Sequence, residues 1–117
     1  KQIRRRILLQ TKTLILTPRY LVELSDDICA IIPLPEVLWI YDHAAMRRTI
    51  KGRQLSYTIH VVTMKGEEYT LTGKSHREVS AIYHELNTRY PNFFFGYSKE
   101  HQEMVQYVLH EMKNEKA

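Results

Sequence analysis

At 117 residues the chain is sized for one hydrophobic core, typically built from roughly 100–150 residues. Its 44% hydrophobic and 26% charged residues exclude a disordered chain, which would be poorer in apolar residues and richer in net charge. The formal charge of +4 is unevenly spread: residues 1–24 set Lys1, Arg4, Arg5, Arg6, Lys12 and Arg19 against Glu23 alone, so the remainder is close to neutral.

Residues 1–12 read as a basic N-terminal arm or a short helix with Ile3 and Ile7 on one side, ahead of a single domain over residues 13–117. No apolar stretch of the signal-peptide kind follows the basic start. A first residue of lysine rather than methionine is expected of a piece of a longer chain. Residues 13–17 (TLILT) form a strand that ends at Pro18, and Thr17-Pro18-Arg19-Tyr20 fits a type I turn with proline in second position. In residues 20–24, Tyr20, Val22 and Leu24 alternate with Leu21 and Glu23. Ser25-Asp26-Asp27 is a tight polar turn, and residues 28–32 make a third strand of β-branched character. Cys29, the only cysteine, lies in that strand, which rules out an internal disulfide and favours a reducing compartment.

Pro33-Leu34-Pro35 breaks the strand, because proline cannot donate to a ladder. Residues 37–42 (VLWIYD) follow as a fourth strand with the single tryptophan. The prolines and Glu36 also interrupt the most apolar run, residues 28–41, well short of the ~20 residues a membrane helix requires. Residues 43–53 (HAAMRRTIKGR) read as a basic connection without a period. Residues 54–64 then alternate clearly, with Leu55, Tyr57, Ile59 and Val61 on one face and Ser56, Thr58 and His60 on the other. After Lys65-Gly66, residues 67–72 place Tyr69 and Leu71 opposite Glu68, Thr70 and Thr72.

The period changes after Gly73. Ser75-His76-Arg77-Glu78 is a capping-box pattern, and Val79, Ile82, Tyr83, Leu86 and Tyr90 recur at helical spacing until Pro91. Phe93-Phe94-Phe95 has the length of a short strand or of a plug at one end of the sheet. Ser98 is placed to cap a last helix with Met104, Val105, Val108, Leu109 and Met112 inward. Strands followed by helices predict an α+β fold: an antiparallel sheet or barrel of about six to seven strands with C-terminal helices, rather than alternating βαβ units.

The stretch Ile15-Leu16-Thr17-Pro18-Arg19-Tyr20-Leu21-Val22, followed by Ile31-Ile32-Pro33-Leu34-Pro35-Glu36-Val37, resembles bacterial PH-like domains. Those open with a leucine-threonine-x-arginine hairpin and carry an isoleucine-proline-leucine segment leading into a later strand. The strand-rich body closed by a helix at residues 75–90 is similar to the same fold, and the likeness covers residues 13–90. It implies a PH-like module of unknown function, of the kind joined to membrane segments in bacterial proteins. Such a module is cytoplasmic, held at the membrane as part of a longer anchored chain, and works through protein partners. Phosphoinositide-binding members carry basic residues in the first hairpin loops. The acidic Ser25-Asp26-Asp27 turn and lone Arg19 depart from that pattern, so stereospecific inositide recognition is not expected.

Residue by residue, the sequence offers little catalytic chemistry. His76 and His84 are too far apart, as are His101 and His110, to share one helix face at i,i+3 or i,i+4, and His84-Glu85 lacks the second histidine of a zincin motif. Cys29 reads better as a core residue than as a nucleophile, since free cysteine is among the most buried residue types. Asp42-His43 has the composition of a base and its orienter, but no nucleophile elbow or Gly-rich phosphate loop accompanies it. The expectation is therefore a non-catalytic binding or interaction module with no assigned metal or cofactor. Its candidate site is basic: Lys1, Arg4, Arg5 and Arg6 with Arg47, Arg48, Lys51 and Arg53, an anionic-surface patch. Basic residues beside a membrane segment follow the positive-inside bias, and each contributes roughly 1 kcal/mol at an anionic leaflet. The same charge makes a basic nucleic-acid-binding domain the alternative. The eight tyrosines, Trp39 and the Phe93–Phe95 run fall mostly on apolar sides, as core, and no RNA-recognition consensus is present.

Overall fold

A computed structural model describes residues 7–24, 29–90 and 93–116 of the chain. Their first part is an antiparallel meander, β1 (Leu9–Gln10), β2 (Leu14–Leu16), β3 (Tyr20–Leu24) and β4 (Cys29–Pro33), paired in that order. Thr17 shapes the β2–β3 turn: its hydroxyl accepts the Arg19 and Tyr20 amides at 3.3 and 3.0 Å, while Pro18 pre-sets the backbone. Pro33 ends β4, and a 3-10 turn at Leu34–Glu36, with Pro35 inside it, carries the chain to a second sheet. That sheet runs β7-β6-β5-β8, from β5 (Val37–Thr49), β6 (Gly52–Thr63), β7 (Glu68–Lys74) and β8 (Phe94–Phe95). Helices α1 (His76–Arg89) and α2 (Lys99–Lys116) complete an α+β fold. The two sheets are separate and do not close into a barrel among the described residues.

One core fills the space between the sheets. Leu14, Leu16, Leu21 and Ile32 of the first sheet meet Ile40, Ile59, Val61 and Leu71 of the second, and Val79, Ile82 and Leu86 of α1 pack into the same cluster. A smaller cluster lies on the opposite face of the second sheet, where Leu38, Trp39 and Val62 are covered by Val105, Val108 and Leu109 of α2. The capping box at Ser75 forms as its residues predict: the Ser75 hydroxyl accepts the Glu78 amide at 3.2 Å and the Glu78 carboxylate accepts the Ser75 amide at 2.8 Å. The Ser98 hydroxyl accepts the His101 amide at 3.0 Å at the start of α2.

Three local expectations change, and one, the short strand at the phenylalanine run, is met. Leu9–Gln10 are a strand within the stretch read as arm or short helix, because their neighbour β2 offers a free edge. The basic connection at residues 43–53 is the outer part of β5, its turn and the start of β6: alternation is obscured there because both faces are solvated. Phe94–Phe95 pair in parallel with Trp39 and Ile40. Met104 points outward, about half exposed, while Val105 beside it is buried. The Ser25-Asp26-Asp27 turn and Pro91 lie outside the described residues.

On β3 the buried side is the one holding Leu21 and Glu23, so a carboxylate faces the core. Its partner is Lys74, whose Nζ lies 2.6 Å from the Glu23 carboxylate with both side chains almost wholly buried. A bulge brings the lysine there. Between Ile59↔Leu71 and Tyr57↔Lys74, β7 spends one more residue than β6, and Gly73 takes φ +68. The extra residue returns Lys74 to the face of Leu71, and its Nζ also reaches the Thr13 carbonyl at 3.5 Å. A buried pair that loses one member leaves an uncompensated charge, whereas replacing both by apolar residues is often neutral. Lys74→Met is therefore expected to lower unfolding free energy in urea by about 3–5 kcal/mol. Adding Glu23→Leu in the same chain is expected to restore most of that loss.

Candidate functional site

Strands β5 and β6 have 13 and 12 residues, but the core covers only their inner halves. Burial stops near Ile40 and Ile59, and residues 43–46 and 51–55 are exposed. At ~3.3 Å per residue the uncovered end projects about 20 Å from the body. The molecule's 52 Å long axis against 28 Å across its shortest fits such a projection. Register is kept to the end, Met46↔Leu55, Arg47↔Gln54, Arg48↔Arg53 and Thr49↔Gly52, around a two-residue turn of Ile50 and Lys51. Gly52 completes the turn at φ +122, a backbone state that L side chains rarely adopt.

Residues 43–57 contain four of the chain's 17 basic residues and none of its 13 acidic ones. Arg48, Lys51 and Arg53 are exposed, and among the described residues none of them is in an ion pair. Arg48 directly faces Arg53 across the ladder, an arrangement that is destabilising for like charges. Arg47 belongs to the same end of β5, opposite Gln54. Thus the structure places this cluster at one hairpin tip, whereas Lys1, Arg4, Arg5 and Arg6 lie outside the described residues. Sequence reasoning did not find the exposed aliphatic residues among these cations: Ile50 is fully exposed at the apex, and Met46 and Leu55 are 60% and 53% exposed.

At the hairpin base, on the α2 side of the sheet, Trp39, Tyr41, His60 and His43 form a continuous ladder. Ring centroids are 4.5 Å apart for Trp39–Tyr41, 4.7 Å for Tyr41–His60 and 5.0 Å for His60–His43. Trp39 Nε1 donates to the Gly96 carbonyl at 2.9 Å, and Tyr97 lies against Trp39 and Tyr41. Nδ1 of His43 and Nε2 of His60 are 3.2 Å apart, a pair that sequence spacing could not reveal because it forms across strands. Most other tyrosines pack as core (Tyr57, Tyr69, Tyr83 and Tyr90), while Tyr97 and Tyr107 are exposed.

The catalytic candidates do not converge. Asp42 and His43 project from opposite faces of β5: Asp42 accepts a hydrogen bond from the Tyr83 hydroxyl, and His43 meets His60. Burial and that bond to Asp42 push the Tyr83 phenol far up. Glu85 pairs with Arg89 one turn along α1, leaving His84 without it. Cys29 belongs to β4 in the other sheet. Among the described residues no three of His, Cys, Asp and Glu are grouped as metal ligands. An open cleft of about 350 Å³ beside the hairpin is lined by Leu55, Lys74 and Glu78 among others, but its charges are already engaged. Glu78 accepts from the Thr11 and Thr13 hydroxyls at 2.5 and 3.3 Å. Burial raises its carboxyl, but the bonds from Thr11 and Ser75, with Lys74 nearby, outweigh that and hold it below the usual range.

Burial lowers the His60 imidazole below its ordinary value, His43 adds to the effect and Glu68 offsets part of it. A histidine whose folded value is depressed resists protonation in the native state. Its stabilising contribution is complete above the unfolded value of about 6.5 and is lost as pH falls from there through the lower folded value. The thermal midpoint of the wild type is expected to fall more between about pH 7.5 and pH 5.5 than that of a His60→Gln variant. Parallel melting curves at the two pH values check this.

Residues 10–105 match a family described as a domain of unknown function, DUF6709. No curated protein and no solved structure matches the chain.

Proposed function

We propose that this chain, which belongs to the DUF6709 family, is a non-catalytic PH-like interaction module that rests on an anionic surface through the β5–β6 hairpin. In this reading it is the soluble part of a membrane-anchored bacterial protein, at the cytoplasmic leaflet, with the body of the fold left for a protein partner. The observation that carries the reading is the hairpin itself. A projecting arm with exposed Arg48, Lys51 and Arg53, no acidic residue and a like-charged pair face to face is relieved by an external anion. Two sheets across one core with α1 packed between them support the PH-like part. Among the described residues no helix is long and apolar enough to cross a membrane, so this reading puts the anchor in another part of the protein.

Vesicle flotation tests the proposal. The domain is expected to float with anionic vesicles at low salt and not with neutral ones. Reversing Arg48, Lys51 and Arg53 to Glu is expected to weaken partition by at least about 100-fold, from roughly 1 kcal/mol per cation. Equal flotation of the charge-reversed variant contradicts the reading. A preference for oligonucleotides over vesicles at the same salt selects the nucleic-acid-binding alternative, which draws on the same charge.

A further inference from the structure

We infer that the β5–β6 apex is an aliphatic wedge that enters the headgroup–acyl boundary of an anionic phospholipid bilayer. The inference rests on the docking reading above and deepens it by making lipid the source of the anion. Ile50 is fully exposed at the turn, and neither core cluster contains it. Further down the hairpin, Met46 and Leu55 face each other across the ladder, both more than half exposed. Alternation places Met46 and Leu55 on the same face as Arg48 and Arg53. That face therefore mixes aliphatic side chains with guanidinium groups on long apolar stems, within a few residues of an apolar tip.

This composition matches a bilayer interface. A hairpin tilted with that face down puts Ile50, Met46 and Leu55 within the roughly 5–10 Å depth that interfacial elements occupy. The arginine stems lie along the apolar layer while their heads rise to the phosphates. Other occupants fit less well. Nucleic acid gains from aromatic platforms, and residues 44–56 contain no aromatic side chain. A second copy would bring two acid-free hairpins of +4 charge together. A purely acidic protein surface answers the arginines but gives no place to an isoleucine at the apex.

The experiment adds one tryptophan at a time to the whole chain, beside Trp39, and reads quenching by vesicles of anionic phospholipid with brominated acyl chains. Wild type reports Trp39, which is 5% exposed, and is the unquenched baseline. Ile50→Trp is expected to be quenched; Tyr107→Trp, at an exposed position on α2, is expected to stay at the baseline. In about 1 M salt, where the screening length is about 3 Å, residual binding should come from the wedge. There Ile50→Ser is expected to lose about tenfold in partition relative to wild type. Each variant changes an exposed side chain, and an unaltered melting curve verifies that it folds. Vesicle binding with no quenching at residue 50, or an Ile50→Ser variant that partitions like wild type in high salt, overturns the wedge and leaves charge-driven docking standing. Absence of any binding to anionic vesicles at low salt overturns the docking reading and the wedge together.

Discussion

Everything distinctive about this structure follows from a mismatch of lengths. A hairpin of 13- and 12-residue strands passes through a core that covers only its inner half. The first sheet and α1 pack on one face of that half, and α2 covers much of the other. Beyond His43 and Tyr57 the two strands are held by the ladder between them. A two-stranded ribbon on its own is marginal in water. Here it persists because its base is fixed on both sides and its turn has the glycine the backbone requires. Burial of that outer half contributes almost nothing to folding, so its charge and its aliphatic side chains call for an explanation outside the fold.

The base is fixed by a polar joint as well as by the core. Lys74 meets Glu23 across the two sheets, and Glu78 binds Thr11 and Thr13 of the first sheet while capping α1. Buried ion pairs are poor sources of stability, since apolar replacements often do as well. Their geometric demand is strict, however. A β7 without its bulge would turn Lys74 to the outer face and strand Glu23 in the core. The joint therefore aligns the sheets, and through them the direction in which the hairpin leaves the body.

Much of the framework was legible in the sequence. The turn at Thr17–Tyr20, the break at Pro33–Pro35, alternation along residues 54–64, the Ser75 capping box and the helical stripe from Val79 to Leu86 are local signals, and each has its structural counterpart. What escaped depends on partners distant in sequence. The alternation of β3 does not say which side is buried, and nothing near Glu23 announces Lys74. His43 and His60 pair across strands, where helical spacing is no guide. Residues 43–53 looked like a connection because a strand with both faces in water has no reason to alternate. The basic cluster at residues 47–53 was legible as composition, but its position at the tip of a projection came only from the register of β5 and β6.

Charge at the tip, aliphatic side chains beside it and a base fixed in the core are the features on which the proposed docking to a surface rests. The ladder of Trp39, Tyr41, His60 and His43 runs along the root of the arm and stiffens it on the α2 side. The most direct measurement is amide hydrogen exchange on the whole chain with and without anionic vesicles. The account predicts slowed exchange confined to residues 44–57, with sheet one, α1 and α2 unchanged. Slowing centred on α2 or on the first sheet, in a sample shown to be vesicle-bound, would contradict it.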